Sequence, residues 1–174
     1  MSDSRRNFLL KSVSASTAAW MAANWPGAVA AAEKAQAMGN FTYFTPAQAR
    51  EIDAIAAQIY PTTDTPGARE AQVIYFIDLA LVTFAQDKQA IYAAGLADLA
   101  TRTKSFAAMP AADQVALLTA IEKTPFFKTV RDHTIMGMFS APQHGGNFHK
   151  TGWAQIGFDD SLNFRAPFGA YDRA

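Results

Sequence analysis

The chain contains no cysteine. That excludes disulfides, Cys-ligated zinc, iron–sulfur clusters, thioether-attached haem and thiol nucleophiles. Histidine is scarce, with three in 174 residues, so a His-rich metal centre has little to be built from. Neither sign of charge is in excess: 15 Lys and Arg stand against 15 Asp and Glu, which argues against a nucleic-acid binder. Long apolar runs are missing too. The uncharged stretch from Ser12 to Ala32 is broken by Ser12, Ser14, Ser16, Thr17, Asn24 and Pro26, too polar for a good membrane span. β-branched residues never alternate convincingly with polar ones, so no sheet is expected. There is no nucleophile elbow, and no glycine-rich phosphate loop follows a strand. What is present is apolar material, half of the chain, enough for one ordinary domain with its own core.

The first thirty residues read as an address. Arg5 and Arg6 precede Phe8, Leu9 and Lys11, and a mildly apolar stretch rich in Ala, Ser and Thr follows. Ala28-Val29-Ala30 then supplies an A-x-A cleavage site. The paired arginines make this a twin-arginine export signal over residues 1–30. That route is usually read as carrying folded proteins, and a chain without a cofactor motif has no evident need of it for itself. The signal therefore suggests a passenger. Losing residues 1–30 removes Arg5, Arg6, Lys11 and Asp3, leaving 12 basic and 14 acidic residues, a near-neutral chain.

Residues 31–44 read as a linker. From 45 onward the pattern is helical, and the fold class is all-α with about five helices. Thr45-Pro46-Ala47-Gln48 is a capping box with proline at the first helical position. Ile52, Ile55, Ala56 and Ile59 then share one face, and the helix should stop at Tyr60, before Pro61. Thr65-Pro66 repeats the start signal and opens a central helix that reaches Phe84, apolar around most of its circumference. A third helix is expected over 87–108, a fourth from Pro110, and a fifth from Thr124-Pro125 to about Phe139. Beyond it, glycine and proline forbid a long helix. Phe148, Trp153, Phe158, Phe164, Phe168 and Tyr171 are too many large apolar groups for a solvated tail. This segment, read as one domain with the helices over 45–174, must lie against its own helices or wrap another protein.

Candidates for chemistry are weak. His133, His144 and His149 match no ligand spacing, and hydrogen bonding explains them more simply. Glu70 and Asp78 lie eight residues apart, roughly 12 Å along a helix, too far for a carboxylate pair. Asp64 suits a turn, and Arg69 and Glu70 suit surface ion pairs. Gly145-Gly146-Asn147 suggests a tight turn with positive φ. Trp153 is an interface anchor if exposed and core if buried.

Three stretches together carry a resemblance: Pro61 to Ala71 (PTTDTPGAREA), Val73 to Asp78 (VIYFID), and Pro142 to Asn147 (PQHGGN) with Trp153 to Phe158 (WAQIGF). In this order and spacing the chain resembles the gluconate 2-dehydrogenase subunit 3 family, small subunits of FAD-dependent sugar and sugar-acid dehydrogenases. The resemblance covers roughly residues 45–160 and the export signal. It implies a large FAD-dependent partner of the glucose-methanol-choline type, possibly a multihaem cytochrome c subunit, and the twin-arginine translocase. FAD and haem c would then reside in those partners and no cofactor in this chain, which would stabilise the flavoprotein and escort it to the periplasm, in a complex associated with the membrane. The family has no catalytic residues to carry over. The matched positions Asp64, Pro66, Gly67, Arg69, Glu70, Pro142, Gly145, Gly146, Asn147, Phe148, Trp153, Gly157 and Phe158 become candidates for the partner interface. The alternative is an exported stand-alone helical protein, either a ligand-binding module or a metalloenzyme using the three histidines.

Overall fold

The computed structural model describes residues 41–160. The export motif (Arg5, Arg6, Phe8, Leu9), the cleavage site at Ala28 and Ala30, linker positions 31–40, and Phe164, Phe168 and Tyr171 lie outside these residues. Within them are six α-helices and no strand: α1 (Pro46–Ile59), α2 (Val73–Val82), α3 (Gln89–Arg102), α4 (Ala111–Ile121), α5 (Pro125–Phe139) and α6 (Thr151–Gln155). The all-α expectation holds. Short 3-10 turns at Gln86–Lys88, Pro142–His144 and Phe148–Lys150 join them.

Two of the three Thr-Pro signals start helices. Thr45 and Gln48 form the full capping box, each side chain taking the other's backbone N–H. Thr124 accepts from Phe127 N at the start of α5. Thr65-Pro66 does not behave this way. Residues 67–72 make an isolated turn, closed by Ala71 N to Gly67 O and by Val73 N to Ala68 O. Gln72 then turns left-handed (φ 54°), and α2 begins only at Val73. The physical reason is tertiary: Phe148 N, from the far end of the chain, takes the Ala71 carbonyl at 3.0 Å, compensating an acceptor outside the regular helix ladder. The third helix also stops early, at Arg102 rather than Ala108. Glu51 of α1 holds the chain beyond it, accepting from Ser105 Oγ and Ala107 N, while Phe106 is fully buried.

α2 is the central element, as its apolar circumference predicts. Seven of its ten residues are buried, and it packs against α5 and α1. Ile52, Ile55, Ile77, Leu81, Tyr92, Val130 and Met138 form the interior of one core. Each such aliphatic side chain contributes about 1.5–3 kcal/mol on burial. The packed region starts before residue 45, where the linker was expected to end. Phe44 is buried and Phe41 stacks on Tyr75 with ring centroids 5.2 Å apart.

Candidate functional site

The stretches that carry the sequence resemblance meet in space. The first becomes the loop from α1 to α2. Ala68 N bonds Tyr60 O at 2.9 Å, and the Glu70 carboxylate takes the Thr62 hydroxyl (2.7 Å) and Gly67 N (2.8 Å). The Thr62 hydrogen bond, with N–H groups of Glu70 itself and Gly67, holds the Glu70 carboxyl below the usual carboxylate range. Gly67 is buried, and a Cβ there would meet the backbone of Tyr60, Pro61 and Thr62 at 2.5–2.7 Å, so glycine is required by space. Arg69 reaches Asp53 on α1 at 3.1 Å. Burial pushes the Asp53 carboxyl up, and the guanidinium offsets part of that.

The last stretch, residues 140–160, folds back onto α5 and onto that loop. Gly145 sits against the backbone of Tyr75 and Phe76 with φ 108°, a conformation that favours glycine. Gly146 rests on the Gly137 carbonyl and Gly152 on the Met138 carbonyl, each without room for a Cβ. Asn147 is fully buried and left-handed (φ 49°), and its amide does two jobs. Nδ2 donates to Ser140 O at 2.9 Å, and Oδ1 accepts from Gly152 N at 2.8 Å. The Trp153 indole N–H donates to Phe139 O at 2.7 Å. Gln155 then locks the two stretches together, accepting from Tyr60 Oη (2.8 Å) and donating to Pro66 O (2.8 Å).

The structure sorts the interface candidates by access. Gly67, Gly145, Gly146 and Asn147 are buried within the chain, and Pro142, Phe148 and Trp153 are half-buried. Asp64, Pro66, Arg69, Glu70, Gly157 and Phe158 are exposed. The histidines are not brought together. His133 is buried, its Nδ1 3.0 Å from the Tyr92 hydroxyl and its ring stacked on that of Tyr92, whereas His144 and His149 are exposed. Burial holds His133 below the ordinary imidazole range and pushes the Tyr92 phenol up. Among the described residues no group of three metal-ligating side chains occurs.

Sequence reasoning weighed Asp78 only as an acid or base and missed its work. This buried carboxylate of α2 takes three backbone N–H groups, Thr42 N at 2.7 Å and Tyr43 N and Phe44 N at 3.0 Å. It ties the segment before α1 to the central helix. The available signal was a lone acid inside the apolar run VIYFIDLALV, since a buried charge requires partners. Gln155 and Tyr60 gave no such signal.

The family model described as gluconate 2-dehydrogenase subunit 3 matches residues 46–160, the region just described. Comparison with curated proteins and with solved structures returned no match.

Proposed function

We propose a function from one premise: the chain belongs to the gluconate 2-dehydrogenase subunit 3 family. Membership makes it one subunit of a dehydrogenase assembly that has a separate catalytic partner. In our reading it is the non-catalytic small subunit of a periplasmic, membrane-associated FAD-dependent sugar or sugar-acid dehydrogenase. It binds and stabilises the catalytic flavoprotein and escorts it through the twin-arginine route. FAD, and haem c where a cytochrome subunit is present, belong to those partners.

The observation that carries this reading is how the junction spends its polar groups. Glu70, Asn147, Gln155 and the Trp153 indole all hold this chain's own backbone or loops in place. Side chains used in this way build a rigid surface. The Arg5-Arg6 signal supports the escort role, since a cofactor-loaded passenger needs a route for folded proteins.

A tagged full-length chain, isolated from its native membrane fraction, should bring down a flavin-containing protein whose absorbance bleaches on adding the complex's sugar substrate. Haem bands would add the cytochrome. Export follows the same logic: R5K/R6K should leave the catalytic subunit in the cytoplasm. A colourless eluate holding this chain alone would overturn the subunit reading, and a catalytic subunit exported normally beside R5K/R6K would overturn the escort role.

A further inference from the structure

The segment beyond α5, residues 141–158, is attached by means other than apolar burial. Its buried residues are Gly145, Gly146, Asn147 and Gly152, and none of its side chains belongs to the buried hydrophobic core. Hydrogen bonds hold it to the body instead. Phe148 N donates to Ala71 O, the Trp153 indole donates to Phe139 O, and Gln155 accepts from the Tyr60 hydroxyl and donates to Pro66 O. A segment with few buried apolar contacts lies at the low end of local stability. The segment is also knit to itself. Asn147 Oδ1 accepts from Gly152 N, Lys150 N donates to Asn147 O at 2.8 Å, and Phe158 N donates to Trp153 O at 2.9 Å.

Backbone strain collects at the same place. The non-glycine residues with positive φ among the described residues are Gln72, Asn147, His149 and Lys150, and all four lie on the two sides of this junction. Asparagine tolerates the left-handed conformation. For the other three it is costly, and His149 and Lys150 adopt it in succession. Gln72 follows Ala71, whose carbonyl Phe148 N takes, and its turn breaks the helix that Thr65-Pro66 signals. Where the segment leaves α5, Ser140 Oγ is buried with no hydrogen-bond partner. The docked segment therefore carries costs that an undocked one sheds, and strain of this kind marks switch regions.

We propose that residues 141–158 form a strap that undocks as one body, hinged at the extended residues Ser140 and Ala141. Closed, the strap occupies the Ala71 and Phe139 carbonyls and the Tyr60 hydroxyl. Open, it leaves those groups bare and lets His149 and Lys150 relax to ordinary backbone. The device belongs to this chain by itself, apart from any partner.

Hydrogen exchange of the full chain under native conditions tests the strap. The Phe148 and Gly152 amides and the Trp153 indole N–H should share one opening equilibrium. It should be at least about tenfold more open than that of a central amide such as Leu81 of α2. His149→Gly and His149→Asn ease the left-handed turn and should make the opening about threefold to tenfold rarer at all three sites together. His149→Val, β-branched, should make it more frequent by a similar factor of about threefold to tenfold. In a loop of ordinary backbone, glycine would have the opposite effect, because added chain freedom favours the open form. Exchange at the three sites only through the opening that also exposes Leu81 overturns the strap. Three unrelated opening equilibria overturn its movement as one body. Opening that is unchanged or more frequent in both His149→Gly and His149→Asn removes strain as its cause and overturns the proposal.

Discussion

The core and the junction of this domain are held by different physics. Between α1, α2 and α5, side chains such as Ile55, Ile77 and Val130 are wholly buried and interchangeable in kind, because dispersion and the hydrophobic effect are non-directional. At the junction of residues 60–72 with 140–158, backbone lies on backbone. Gly67, Gly145, Gly146 and Gly152 each face main-chain atoms where a Cβ would go, and the amides of Asn147 and Gln155 fasten the strands of loop. The core tolerates a change of shape that conserves volume. The junction tolerates almost none, since backbone cannot move aside as a side chain can. The comparison teaches where specificity of form lies: burial supplies most of the stability, while the junction fixes how the two loops sit on each other.

The largest effect should come from adding one methyl group at the junction. Gly146→Ala places a Cβ on the Gly137 carbonyl, and we expect a loss of about 3 kcal/mol or more, read from the urea midpoint. A loss below about 1 kcal/mol would erase the contrast drawn above. Asp78→Ala comes next. It strands three backbone N–H groups, and a loss of about 2–3 kcal/mol is expected, with hydrogen-exchange protection vanishing at residues 42–44 first. Ile55→Val, in the core, should cost only about 1 kcal/mol and leave the slope of the denaturation curve unchanged.

The next effect is one of pH. Burial lowers the folded-state pKa of His133, so between that value and the ordinary imidazole value near about 6.5 the unfolded chain binds more protons. Stability from this group is fully present above about pH 6.5 and declines as pH falls below it. Substituting His133→Gln should flatten that decline in a pH series of melting curves. A decline that survives the substitution would assign it elsewhere. The smallest effect belongs to Arg69→Ala, whose ion pair with Asp53 is more than half exposed on the arginine side. About 0–1 kcal/mol is expected from equilibrium unfolding.

Local rules made much of this legible. The capping box at Thr45, the cap at Thr124 and the apolar circumference of α2 could be read because each is decided within a few residues of chain. The failures share one cause. Thr65-Pro66 carries the same start signal, yet Gln72 turns left-handed there while Phe148, 76 residues later, takes the Ala71 carbonyl. Helix α3 stops at Arg102 while Glu51, on another helix, binds the segment beyond it. The aromatic tail posed a choice between core and interface that composition leaves open. The structure divides it, with Trp153 half-buried and bonded to α5 and Phe158 exposed beside it.

The sequence by itself determined the helical class, the absence of cysteine chemistry and the family, because propensity, periodicity and motif spacing are local properties of the chain. Tertiary structure alone decided that two loops more than 70 residues apart share one junction, that Asp78 clamps the segment before α1, and that Ile156 and Phe158 stand outward. Those outcomes depend on which backbone groups remain unpaired after the helices pack, and packing is settled only between elements distant in sequence.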